Sequence, residues 1–299
     1  MRCVFYDLEL MTTNIKKYDF KNGLPIEFEI VNMKQLYALH KEILINPHRT
    51  GFYHILWFQK GTATHLVDFN PVKIKPNTLL FLNKDIVQRF DDKGNFDGKA
   101  ILFTDNFFCK TEADIKFLKS TILFNDLLTI SKIQLQNKST LFNDLFKLIE
   151  TELQNQKDNY QPDIIKNLLH NFLLLSEREK RKQNFTEIKK DANLDYVLLF
   201  KGLLEINYRT QKKVSIYANQ ISLTEKRLNI ATSKVVGKSP KQIIDDRIML
   251  EAKRILAHTN ESVKEVGFAL GFDEPTNFIK YFRKNNGSTP VEFRENYSA

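Results

Sequence analysis

The sequence predicts an α+β fold in two domains, a β unit followed by helices and then an all-helical unit. Three observations carry that prediction. The chain has 299 residues, enough for two separate cores. Its hydrophobic pattern changes at about residue 114 from short alternating runs to helical spacing. Residues 177–193, EREKRKQNFTEIKKDAN, form a charged and weakly periodic stretch of the kind in which domain boundaries fall. The expected layout is a first domain over 1–182, a linker over 183–192 and a second domain over 193–299.

Composition narrows the class. With 42% hydrophobic and 27% charged residues the chain reads as soluble, and no run approaches the roughly 18–20 apolar residues that a membrane helix needs, so no membrane partner is expected. The first ten residues, MRCVFYDLEL, hold Asp7 and Glu9 inside the apolar run and offer no small-residue cleavage site, which argues against a signal peptide. Cys3 and Cys109 lie far apart without metal-ligand spacing, which suits a reducing cytoplasm. The net charge of +9 fits either a solvated lysine-rich surface or a polyanion partner. From Lys190 onward there are 18 Lys and Arg against 13 Asp and Glu, so slightly more than half of the excess sits in the last third.

From about Phe20 to Phe108 the chain reads as short strands: FYHILWFQ, a turn at Lys60-Gly61, ATHLVDF, a turn at Asn70-Pro71, NTLLFL, a turn over Asp91–Asn95, then GKAILFT. Strands at this spacing indicate a sandwich or barrel. Segments 114–128, 139–156 and 162–181 have helical spacing, with Leu141, Leu145, Leu148 and Ile149 in one stripe and Ile164, Ile165, Leu168, Leu169, Phe172 and Leu175 in the next. Such stripes serve either as core or as a dimerisation face, and the spacing alone leaves both open.

The last third contains a repeat. Residues 217–224 (YANQISLT) align with 266–273 (VGFALGFD) at an offset of 49. Leu228 aligns with Phe278, Gly237 with Gly287 and Pro240 with Pro290 at an offset of 50. Each copy predicts a short helix with a small residue at a close crossing (Ala218, Gly267), a tight turn, and a second helix N-capped by Thr224 or Asp273, which is the helix-turn-helix arrangement. Glycine closes each second helix, and the boxes SPKQ (239–242) and TPVE (289–292) open the next; another box lies at 262–265. Lys226, Asn229, Ile230 and Ser233 share one face of the first such helix, with Leu228, Ala231 and Val235 inward. Thr276, Ile279, Lys280 and Arg283 share the outer face of the second, with Phe278 and Phe282 inward. Polar and cationic groups mixed with an apolar side chain are what a helix needs to meet base edges and thymine methyls in a major groove. The segment between the copies, 240–259, reads as one long helix able to hold both on one side of a duplex.

These residues, above all GFDEPTNFIKYFRKNNGSTPVEFR, resemble the DNA-binding domain of AraC/XylS-type transcriptional regulators, whose signature ends in Gly-x-[Ser/Thr]-Pro-x-x-[Phe/Tyr]-Arg; here it is carried by Gly287, Thr289, Pro290, Phe293 and Arg294. The first half resembles that family's cupin-like β-barrel with dimerisation helices in texture and length. The resemblance implies a sequence-specific regulator, an activator, that binds double-stranded promoter DNA, works with RNA polymerase, forms a homodimer and responds to a small-molecule effector or dimerises through its first domain. It places base contacts on Lys226, Asn229 and Ile230, and on Thr276, Asn277, Ile279 and Lys280. Phosphate contacts fall on Lys234, Ser239, Arg283, Lys284 and Thr289. Pro275 stands where many members carry a polar residue, so no polar contact is assigned to it.

The alternative is a cupin-type metalloenzyme with a fused helical module. Such barrels hold metal through a His-x-His pair, a carboxylate and a later histidine; here His54 and His65 are eleven residues apart and Gln88 stands where the last histidine would fall. No metal, cofactor or catalytic residue is therefore expected. His54 and His65 read as hydrogen-bonded strand residues or as the lining of a small-molecule site.

Overall fold

The computed structural model describes residues 6–7, 15–21, 23–124, 130–135, 139–183 and 191–298. Its internal contacts divide the chain into two units, one carrying the strands and the helices up to residue 183, the other the helices from residue 191. The linker expected at 183–192 lies mostly outside the described residues, as do Cys3 and the end of the helix expected over 114–128.

In the first unit the elements run β1 (Tyr6–Asp7), β2 (Lys16–Asp19), β3 (Phe28–Asn32), α1 (Met33–Leu44), β4 (His48–Thr50), β5 (Tyr53–Val67), β6 (Asn70–Ile74), β7 (Thr78–Leu82), β8 (Gln88–Arg89), β9 (Asn95–Phe103), α2 (Asp105–Phe108), α3 (Glu112–Ser120), β10 (Ser131–Gln134), α4 (Ser139–Gln154) and α5 (Gln161–Lys182). The strands curl into a half-barrel of cupin-like type. β5 is its spine: the first half pairs with β7 and β9, and the second half, beyond a register shift between Phe58 and Lys60, pairs with β6 and β8 as well. Side chains alternate across it. Tyr53, Ile55 and Trp57 pack outward against Phe142, Phe146 and Ile149 of α4 and Ile165, Leu169 and Phe172 of α5. Leu56 and Phe58 line the concave side with Phe52, Leu80, Leu82, Phe90 and Phe96.

Several expectations for this unit are corrected. Lys60-Gly61 is not a turn between strands. It is an irregularity inside one 15-residue strand, where Gly61 has φ 77° and an added Cβ would lie 1.8 Å from the Asn95 carbonyl oxygen. Glycine there lets β9 pass close by, and the bend re-aims the second half of β5. The reversal expected at Asn70-Pro71 comes at residues 68–69, where Asp68 takes φ 52°. The first stretch, expected to hold strands alone, also contains α1, capped by the Asn32 side chain on the Gln35 amide at 2.9 Å. The helix expected from 114 stops at Ser120, and Ser131–Gln134, expected as part of no element, forms β10 on the edge of β7.

The second unit is helical: α6 (Ala192–Asn207), α7 (Val214–Gln220), α8 (Glu225–Val236), α9 (Pro240–His258), α10 (Val263–Ala269), α11 (Pro275–Asn286) and α12 (Pro290–Ser298). Its core gathers Phe200 and Leu204 of α6, Tyr217, Ala218 and Leu228 of the first repeat, and Val266, Leu270, Phe278 and Phe282 of the second, around Ile244, Ile248, Ala252, Ile255 and Leu256 of α9. α9 has 19 residues, and at 1.5 Å per residue spans about 28 Å. Among the described residues no helix is long and apolar enough to cross a membrane.

Candidate nucleic-acid interface

The two repeats fold into the same motif down to single hydrogen bonds. In the first, the Leu223 amide donates to the Ala218 carbonyl at 2.9 Å across a turn in which Ser222 takes φ 55°. In the second, the Phe272 amide donates to the Gly267 carbonyl at 3.0 Å, with Gly271 at φ 70°. α8 ends at Gly237 (φ 69°), whose amide reaches Ser233, and α11 ends at Gly287 (φ 81°), whose amide reaches Arg283. The capping boxes follow: Ser239 and Gln242 open α9, Thr289 and Glu292 open α12, and Ser262 and Glu265 open α10. Gly267 is small because α11 crosses there; an added Cβ would sit 3.1 Å from Phe278 Cβ.

One cap differs from expectation. α11 starts at Pro275, so Glu274 is its N-cap, extended at φ −128° and without a side-chain cap bond; Asp273 is not the cap. Proline at N1 fixes the entry and forces its predecessor out of the helical region, which moves the boundary one residue on. In the first copy Thr224 caps α8 as expected, accepting from the Arg227 amide at 3.1 Å.

Leu228 and Ala231 on α8 and Phe278 and Phe282 on α11 are buried, which turns the opposite faces outward. Lys226, Asn229 and Ser233 are exposed beside Ile230, which keeps 49% of its surface. Val235, expected inward, is only half-buried, since it lies in the last turn beyond the core contact. On α11, Thr276, Asn277 and Lys280 are exposed and Ile279 is half-buried at the edge of the same face. Arg283 and Lys284 in its last turn are exposed and make no ion pair among the described residues.

The cations are used unequally. Lys234 in the last turn of α8 bonds at 2.8 Å to Asp191, which caps α6. That bond, with those from Asn193, holds the Asp191 carboxyl well below the usual range. Arg227, four residues before Ala231, donates to Asn193 Oδ1 at 2.6 Å and lies over the Tyr196 ring, so it fastens α8 to α6. At the N-terminus of α12 the Glu292 carboxylate takes the Thr289 amide at 2.7 Å, whereas neutral Gln242 takes the equivalent Ser239 amide at 2.8 Å. The second of these helix N-termini therefore carries a carboxylate and the first a neutral amide. Arg294, the last signature residue, reaches back to the Leu256 and Glu261 carbonyls and locks α12 across the end of α9. Sequence reasoning missed these tying roles, because lysine and arginine on an outer face carry no mark of where their partners stand.

In the first unit His54 and His65 both lie on β5 among the concave-side aromatics, and Gln88 joins them: its Oε1 bonds His65 Nε2 at 3.0 Å and its Nε2 meets His54 Nε2 at 3.4 Å. Burial pushes His54 down to about 3 and His65 to about 4, so both stay neutral. Glu29 shares a register row with Leu102 and His54 on that side of the sheet, and burial pushes its carboxyl up to about 7. His65 Nδ1 and Glu29 Oε2 are buried there without a hydrogen-bond partner among the described residues.

Residues 38–172 match the family model of the AraC-like ligand binding domain, and residues 217–296 match that of a helix-turn-helix domain; between them they cover well over half of the chain. The chain is similar to the HTH-type transcriptional activator RhaS of Enterobacter sp. (strain 638), at 22% identity over 87% of this chain and 94% of that one. A stretch of 61 residues is 41% identical to the uncharacterized HTH-type transcriptional regulator YobQ of Bacillus subtilis (strain 168), covering 20% of this chain and 25% of the other. Among solved structures, ToxT from Vibrio cholerae aligns with 90% of this chain and 98% of its own at 12% identity and a TM-score of 0.43.

Proposed function

Because the chain belongs to the AraC/XylS-type family of helix-turn-helix transcriptional regulators, a DNA-binding class, we propose that it reads promoter DNA with α8 and α11 set into successive major-groove segments. The observation that carries this is the repeated motif itself: two second helices, each buried by its large apolar residues and each presenting outward a mixed polar, cationic and apolar face. Lys226, Asn229 and Ile230, then Thr276, Asn277, Ile279 and Lys280, meet base edges. Arg283 and Lys284, with the N-termini at Ser239 and Thr289, meet phosphates, and Lys234 does so by leaving Asp191. Residues 193–299 form this reader, joined through 183–192 to a sensing domain over 1–182.

The same reading makes the protein an activator, as the name of its RhaS relative supports, and places its work in the cytoplasm with RNA polymerase. A small polar effector binds the concave side of the half-barrel, where the unpartnered atoms of His65 and Glu29 offer hydrogen bonds. Leu141 and Leu148, exposed one heptad apart on α4, and Ile164 on α5 supply an apolar face for a second copy of the chain.

The test is binding to duplexes selected from a random pool. Lys280→Ala costs about 1–3 kcal/mol on the selected site and little on scrambled DNA, whereas Lys284→Ala weakens all sequences alike. Equal losses for Lys280→Ala on selected and scrambled duplexes would remove its base-reading role.

A further inference from the structure

The turn of the second motif packs directly onto the loop that leads into the first motif. An added Cβ on Gly271 would lie 1.8 Å from the Arg209 carbonyl oxygen, so the 270–272 turn lies flat on the backbone between α6 and α7. Lys212 closes that contact. Its amine donates to the Gly271 carbonyl at 2.6 Å and to the Arg209 carbonyl at 3.2 Å, and it stands 4.6 Å over the Phe272 ring. The side chain is half-buried, and desolvation pushes its amine down, as expected of a cation held against protein rather than offered to solvent.

The segment that Lys212 belongs to is itself anchored to α9. Arg209 pairs with Glu251 at 3.7 Å, and Arg247 stacks on the Tyr208 ring at 3.9 Å while bonding Glu205 at 2.8 Å. Glu251 is fully buried and also accepts from Arg247 and Arg254. The two motifs therefore touch at α9 and again at the Lys212 contact. Two separated points of attachment remove the bending and twisting that a single connecting helix would leave between them.

We propose that Lys212 and Gly271 form a latch that fixes the distance and angle between α8 and α11, so that the protein accepts its two half-sites at one spacing only. Lys212 is thus a positioning residue, remote from the bases, that sets specificity for site geometry. The proposal rests on the reading of α8 and α11 as the DNA-contacting helices.

The experiment uses the full chain and a duplex selected from a random pool, together with versions carrying one or two base pairs inserted or deleted between the two protected segments. The wild type loses about tenfold or more in affinity for each base pair of altered spacing. Lys212→Met, which keeps the side-chain stem over Phe272 and removes the donors, loses severalfold on the original duplex and only about twofold to threefold more on each altered one. A parallel loss on every spacing would mean that Lys212 acts through charge or stability alone and would overturn the latch, as would a wild type that tolerates insertion. Failure of the pool to yield any preferred duplex would instead count against the DNA-reading assignment.

Discussion

The two helix-turn-helix motifs share the hydrogen bonds that span the turn and close the second helix but are held in place differently. The first turn carries Ser222 at φ 55° and the second carries Gly271 at φ 70°, yet only at Gly271 does another backbone close the space a side chain would need. α8 is capped by Thr224 and tied to α6 through Arg227 and Lys234; α11 enters through Pro275 without a side-chain cap, is anchored by two buried phenylalanines, and leaves Arg283 and Lys284 unpaired among the described residues. Duplicated sequence therefore conserves the local turn, while each copy's neighbours decide which of its cations are held in ion pairs.

The comparison can be broken most severely at the turns. Gly271→Ala adds both a strained φ and a clash with the Arg209 carbonyl, and costs about 2–4 kcal/mol. Denaturant titration checks it, and a loss below about 1 kcal/mol would mean that the 208–212 backbone can move aside.

A contrast between the two units gives the next effect. The second unit buries a paired charge, Glu251 among arginines, whereas the first buries neutral His54 and His65. A folded-state pKa below the unfolded value means that stability is present above about pH 6.5 and is lost as pH falls toward 4. His65→Gln therefore removes about 2–3 kcal/mol of the loss between pH 6.5 and 4.5. Thermal melting of the first unit at the two pH values tests the sign; an unchanged difference between variant and wild type would show that His65 does not titrate on unfolding.

Smaller effects separate the two caps. Thr224→Ala costs about 1 kcal/mol, while Asp273→Ala, which caps nothing, stays within about 0.5 kcal/mol. Equal costs would return Asp273 to the capping role that the sequence suggested. In the opposite direction, Ser222→Gly relieves a left-handed serine and gains a few tenths of a kcal/mol, about 0.5 kcal/mol at most, read as a rise in melting temperature.

Much of the second unit was legible because its signals are local. Caps, the glycines at 237 and 287 and the 49-to-50-residue offset are written in adjacent residues, and they survive folding because a helix satisfies its own backbone. The first unit was less legible. Gly61 reads as a turn residue until β9 is seen to pass beside it, and Ser131–Gln134 becomes a strand only because β7 offers an unpaired edge. α1 begins as the strand β3 ends, so its helical spacing was absorbed into a region read as strands alone.

The sequence by itself determined the two-domain order, the duplicated motif and which faces of α8 and α11 point outward, since each follows from periodicity and capping within a few turns. Tertiary structure alone decided that Lys212 grips the second turn, that Lys234 is held by Asp191, that Arg294 locks α12, and that His54 and His65 meet through Gln88. Each joins elements distant in the chain, and the energy of a charge or hydrogen bond depends on where its partner lies and how far water is excluded, which no local pattern encodes.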